Sequence, residues 1–194
     1  MWKVVLLILI INVLGCTKQQ SVAKKDDITF KVDQTLLAEK HICSALGISF
    51  QPPLNWESIS PDMLETIKNN IIASQDSAQI NLILITIFMN MEKSFTCFLS
   101  VLESELLLED VQDNYLAEFR SIHQDLDLKE GSFSHNGLDF HQITFVKDDF
   151  ISIKLISANN DQKTFMVEYL VPAKYYQEEL HPIESSIGTI KKLK

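Results

Sequence analysis

The sequence predicts an α+β domain in which an antiparallel β-sheet of about six or more strands is packed between α-helices. Three observations carry that expectation. Three segments repeat apolar residues at three- and four-residue spacing, two runs are nearly continuous in apolar residues, and the third quarter alternates apolar and polar residues between turn formers.

The chain opens on a leader. Lys3 supplies a positive start, Val4 to Leu14 is an apolar run broken only by Asn12, and small Gly15 precedes Cys16. The pattern is that of a bacterial lipoprotein signal: residues 1–15 are removed and the Cys16 thiol, a good nucleophile as thiolate, receives the lipid. A retained membrane-spanning helix needs about 20 apolar residues, and polar Thr17-Lys18-Gln19-Gln20 ends this run too early. An ordinary secretory peptide would be cut at the same place and leave Cys16 a free thiol. One acyl chain, such as palmitate, binds a membrane weakly, so stable anchoring implies more than one.

Residues 16–27 lack apolar periodicity and hold Lys18, Lys24, Lys25, Asp26 and Asp27, which predicts a lipidated flexible tether with a reach of at most roughly 40 Å. Residues 28–194, about 167 in number, are enough for one domain with its own core. The net charge of −9 becomes −10 without Lys3, which disfavours nucleic acid and anionic lipid surfaces as general partners. No cofactor is expected.

Within the domain, Ser60-Pro61-Asp62 reads as a helix start, with Leu64, Ile67 and Ile71 as its apolar face. Ile80 to Met89 and Phe95 to Leu102 read as central strands covered on both faces. Leu108, Val111, Tyr115, Phe119, Ile122 and Leu126 mark a second helix. Asn136-Gly137 predicts a tight hairpin pairing His135 with Leu138 and Phe133 with Phe140. The apolar phase then changes from Leu138 and Phe140 to Ile143 and Phe145, which predicts a bulge near His141. Ile151, Ile153 and Leu155 continue the sheet, Asn159-Asn160-Asp161 turns it, and Phe165, Val167, Tyr169 and Val171 return. Pro182 is placed at the first turn of a last helix with Ile183, Ile187 and Ile190 inward.

Candidate chemistry is sparse. Cys43 and Cys97 are an even pair in an exported chain, so a disulfide or two buried thiols are both open. His41 and Cys43 share a strand face without a third orienting group. His135 and His141 fall on opposite faces of their hairpin, and His123 stands one turn from Asp127, which suggests an ion pair or cap contact. Glu103, Glu105, Glu109, Asp110 and Asp113 lack the glycine turn of a calcium loop and read as a solvated helix face. Metal and catalytic ligands are therefore not assigned. Trp56 has two readings: an aromatic anchor for a partner at an exposed loop, or a wedge in the core.

The run Gly47-Ile48-Ser49-Phe50-Gln51-Pro52-Pro53-Leu54-Asn55-Trp56, then helix, two apolar strands, helix and a hairpin series ending Tyr169-Leu170-Val171-Pro172 with Tyr175-Tyr176 and a final helix, resembles the PsbP-like fold. That group includes the photosystem II accessory protein PsbP and the bacterial envelope proteins LpqN and DcrB. The resemblance implies a sheet sandwiched by helices and a role in binding or assembly, not a reaction. Asn55 departs from the glycine common in relatives before the tryptophan, and nothing here matches a photosystem-binding extension, so no photosynthetic role follows.

Together these features predict a membrane-anchored envelope lipoprotein, not an enzyme, whose domain engages a protein partner. Thr17 after the lipidated cysteine, in place of aspartate, leans toward an outer membrane. A competing reading is a carrier or chaperone for an apolar ligand, in a cavity lined by residues such as Phe88, Phe98 and Phe165. A further competitor, an enzyme, requires polar side chains converging in a cleft with perturbed ionisation.

Overall fold

A computed structural model describes residues 26–74, 80–104, 111–159, 161 and 163–193. These form an eight-stranded sheet, a three-stranded sheet and three α-helices, as the α+β prediction requires. The strands are β1 (Asp26–Asp27), β2 (His41–Cys43), β3 (Ile48–Phe50), β4 (Glu57–Ser58), β5 (Asn81–Asn90), β6 (Phe95–Glu103), β7 (Lys129–His135), β8 (Leu138–Lys147), β9 (Phe150–Ala158), β10 (Thr164–Pro172) and β11 (Lys191–Lys192). The helices are α1 (Pro61–Ser74), α2 (Val111–Ile122) and α3 (Tyr176–Gly188). The large sheet runs β1-β7-β8-β9-β10-β6-β5-β4 and the small one β11-β3-β2. All neighbours are antiparallel except β1, which lies parallel to β7.

The hairpin prediction holds residue by residue. His135 faces Leu138 and Phe133 faces Phe140, while Asn136 and Gly137 take φ of 50° and 73°, the left-handed pair a two-residue turn demands. Asp148 and Asp149, at φ 48° and 63°, make the next turn in the same way.

The expected bulge near His141 is absent, since β7 and β8 pair without interruption from Lys129–Thr144 to His135–Leu138. The phase change has another cause. Ile143 is three positions after Phe140, an odd offset, so a regular strand puts them on opposite faces, and both faces are buried. Leu138 and Phe140 join a first core with Leu155, Phe165, Val167 and Tyr169, capped by Ile183 and Ile187 of α3 and by Ile48 and Phe50 of the small sheet. Ile143 and Phe145 join a second core with Ile156, Met166 and Leu102, capped by Val111, Leu116 and Phe119 of α2. The register irregularity among these strands is instead in β5, between Leu84 and Thr86.

Other expectations are corrected. Only β6 of the two apolar strands is central, because β5 is flanked by the two-residue β4 and leaves Ile83 39% exposed. The α2 stripe uses Leu116, and Ile122, placed on the buried face by spacing, is 65% exposed at the last turn. Leu108 lies outside the described residues. Pro182 is inside α3, which starts at Tyr176. A proline there removes the bond to the carbonyl of Glu178, and that residue is exposed, so water can take the acceptor. Ile183, Ile187 and Ile190 are buried as expected. Asp26–Asp27, expected in the tether, already form β1, and Ile28 N donates to Ser134 O at 3.1 Å.

α3 is tied to the sheets by hydroxyls. Ser186 Oγ donates to Gln51 O at 2.6 Å and meets the Tyr169 hydroxyl at 2.9 Å, while Gln51 N donates to Thr189 Oγ1 at 2.8 Å. The N-terminal segment crosses the end of α3 at Gly188, where an added Cβ would lie 2.6 Å from Phe30 Cβ and 2.7 Å from Val32 Cγ2.

Candidate functional site

The segment that carried the resemblance is a turn fixed by its own chemistry. Pro53 pairs with Leu37 in an isolated bridge, Leu54 N donates to Leu36 O at 2.8 Å, and Trp56 N closes onto Pro53 O at 3.1 Å. Asn55, third in that turn, has φ of 66°. Asparagine is one of the few residues besides glycine that tolerates this conformation.

Trp56 therefore points inward. It is 2% exposed, with Phe95 at 5.7 Å and Tyr169 at 6.2 Å between ring centroids. A partner cannot reach it, so the anchor role is corrected and the wedge reading describes the ring. What the turn presents to solvent is the neighbour, Leu54, at 50% exposure.

β4 pairs Glu57 with Met89 and Ser58 with Phe88, which sets this turn beside the β5–β6 connection. There Asn90 Oδ1 accepts from the backbone of Glu92 and Lys93, both at 3.2 Å, and Ser94 adopts φ of 58°. The result is a cleft of about 530 Å³ between the two turns, with Leu54 on one side and Met89 and Met91 on the other. Met91 is 69% exposed. Glu57, Glu92 and Glu179 rim the cleft, opposed by Lys93 alone, which pairs with Glu179 at 3.7 Å and lies 5.5 Å from the ring centres of Phe95 and Tyr175. Burial raises the Glu179 carboxyl above its ordinary range, against the pull of Lys93. Two apolar side chains are thus turned out to solvent on hydrogen-bonded turns, beside three carboxylates and one ammonium.

The other sequence candidates separate. Cys16 lies outside the described residues, as do Glu105, Glu109 and Asp110. Cys43 and Cys97 are free buried thiols, held protonated by desolvation. The His41 ring packs 5.0 Å from Phe88 and 6.0 Å from Phe50, and burial lowers its pKa. His123 packs on Phe119 at 4.4 Å, beyond the end of α2, so an i to i+4 helical pairing with Asp127 does not form. Among the described residues no group of three His, Cys, Asp or Glu side chains could hold a metal, and no helix is long and apolar enough to cross a membrane. Of the side chains expected to line a ligand cavity, Phe88 and Phe165 are packed in the first core, at 5% and 0% exposure.

Two polar clusters were not foreseen. On the second face, Lys154 Nζ donates to Glu168 Oε2 at 2.6 Å and Ser152 Oγ to Glu168 Oε1 at 2.7 Å. Desolvation acts to lower the Lys154 pKa, but the Glu168 carboxylate and the Tyr115 hydroxyl outweigh it and leave the pKa raised. Beside α2, Arg120 grips Glu130 with Nε at 2.7 Å from Oε1 and Nη2 on Oε2, and His141 Nε2 lies 2.8 Å from Oε2. The Arg120 hydrogen bond chiefly holds the Glu130 pKa down at about 2. His141 and His135 do lie on opposite faces, since the His135 ring is against Phe30 and its nitrogens meet the carbonyls of Ile28 and Gly188. Residue spacing alone carried no signal for either cluster, because both depend on strand register or helix docking.

No family model and no curated protein matches this sequence. The solution structure of cyanobacterial PsbP (CyanoP) from Synechocystis sp. PCC 6803 does match in three dimensions, with a TM-score of 0.51 over 85% of this chain and 97% of that one. The chain has a PsbP-like fold. At 10% identity the likeness concerns the architecture alone. In this PsbP-like domain the two exposed turns, not the tryptophan between them, are the surface of interest.

Proposed function

We propose that this chain is a bacterial envelope lipoprotein, anchored by lipid on Cys16, whose PsbP-like domain binds a protein partner and catalyses no reaction. The observation that supports docking is the cleft between the Leu54 and Met91 turns. Isolated exposed apolar residues are ordinary, but here two line one concavity on turns whose backbone is held by hydrogen bonds, so little loop entropy is lost on binding. The acidic rim favours a partner with lysine or arginine around an apolar anchor. Lipid on Cys16 supplies the membrane affinity that an acidic surface lacks, and an outer-membrane location fits Thr17.

The test is substitution at the cleft. Leu54→Asp and Met91→Asp each place a charge at an exposed position, so both variants fold with thermal transitions near that of the parent. The parent purified from its own envelope carries a defined partner, and both variants lose it. A partner retained by both would remove the cleft from the account.

A further inference from the structure

α2 covers only part of the second sheet face, and beyond Phe119 the face opens into a groove of about 480 Å³. Its walls are rings, Phe119 and Phe145 at 5.4 Å between centroids, with Phe150 and Leu170 across from them. Its floor is the Ser152–Glu168–Lys154 cluster, where the lysine side chain is 9% and the glutamate 16% exposed. No residue lines both this groove and the Leu54–Met91 cleft.

The floor states what head group fits. Each Glu168 oxygen accepts one bond, so the carboxylate retains acceptor capacity and can take a further donor. The Lys154 ammonium is spent on Glu168, on the Met166 sulfur at 4.0 Å and over the Phe119 ring at 5.6 Å. Formal charges in the groove cancel, Lys154 against Glu168 at the floor and Lys147 against Asp148 at the rim. His123 adds no charge at neutral pH, because burial first, and then Lys147 and Lys154, depress its pKa. A charged ligand would be desolvated there without a free counter-charge. An apolar body with a neutral hydroxyl donor loses nothing comparable.

We propose that this groove is a second binding site, for an uncharged amphiphile whose hydroxyl donates to Glu168 while its aromatic or acyl body lies against Phe119, Phe145 and Phe150.

The probe is 2-naphthol, titrated by amide NMR into residues 16–194 carrying Cys16→Ser, which lack the leader and the lipid and keep every other residue of the mature chain. The result expected is saturable binding with shifts concentrated in residues 145–154 and 166–171. Affinity should exceed by about tenfold that of 2-methoxynaphthalene, which lacks the donor, and that of 2-naphthoate, which adds charge. Phe150→Ala, at a half-buried strand end, should weaken 2-naphthol about tenfold; Leu170→Ala serves if that variant loses its dispersed spectrum. No saturation at millimolar probe, shifts centred elsewhere, or equal affinity for either comparator overturns the proposal.

Discussion

Removing the cation under α2 is a sharp test of how this sheet holds two cores. In Lys154→Met the hydrophobic stem is retained and the ammonium is lost, so Glu168 keeps only the Ser152 hydroxyl at 2.7 Å. Breaking a fully buried pair costs about 3–5 kcal/mol because one charge is left uncompensated. Glu168 is 16% exposed and reaches some water, so screening brings the cost just below that range, to about 2–3 kcal/mol. For a domain of this size that is a fall of roughly 5–10 °C in the thermal midpoint. Adding Glu168→Leu removes the stranded charge, and the double variant should return to within about 1 kcal/mol of the parent. The raised Lys154 pKa gives a matching alkaline signature. Its stabilisation is fully present below the ordinary lysine value of 10.5 and is lost as pH climbs through the higher folded value, so the parent alone weakens there and the double variant does not. Equilibrium urea unfolding measures all three proteins. A single variant within about 1 kcal/mol of the parent, or a double variant as unstable as the single, would refute the reasoning.

Trp56→Ala should cost about 3–5 kcal/mol, since the ring is wedged between Phe95 and Tyr169, and circular dichroism on heating reads it without needing the lost fluorophore. The Glu130 carboxyl has a folded pKa of about 2 against 4.5 unfolded, so its contribution is present above pH 4.5 and lost as pH falls toward 2. Solvent screening reduces that contribution to about 1 kcal/mol, and Arg120→Met should flatten the stability curve over this window. Cys16→Ser should abolish incorporation of an alkyne-labelled palmitate; labelling that persists would remove the lipoprotein reading.

What the residues disclosed depended on how local the physics was. Asn136-Gly137 set the β7–β8 register because both residues accept positive φ and the pairing needs only its neighbours. The phase change from Phe140 to Ile143 was equally visible, yet it suggested a bulge because the reading assumed one buried face where there are two. β1 was missed because Asp-Asp has poor strand propensity, and the pairing with β7 comes from a strand about a hundred residues away. Pro182 was put at a helix start by a local preference that an exposed Glu178 carbonyl allows the fold to override. The Lys154–Glu168 pair spans the β9–β10 register, and Leu54 and Met91 line one cleft because β4 pairs with β5. The tryptophan drew notice by residue type, whereas exposure, which decides docking, is a property of the turn that buries Trp56 and turns Leu54 out.

The most direct measurement is photocrosslinking in the intact envelope with a photoreactive residue at Met91, run beside the same residue at Ile122, which is similarly exposed but lies on α2. The account predicts one discrete protein adduct at Met91, absent at Ile122 and lost when Leu54→Asp is added. Equal adducts at the two positions, or an adduct indifferent to Leu54→Asp, would contradict it.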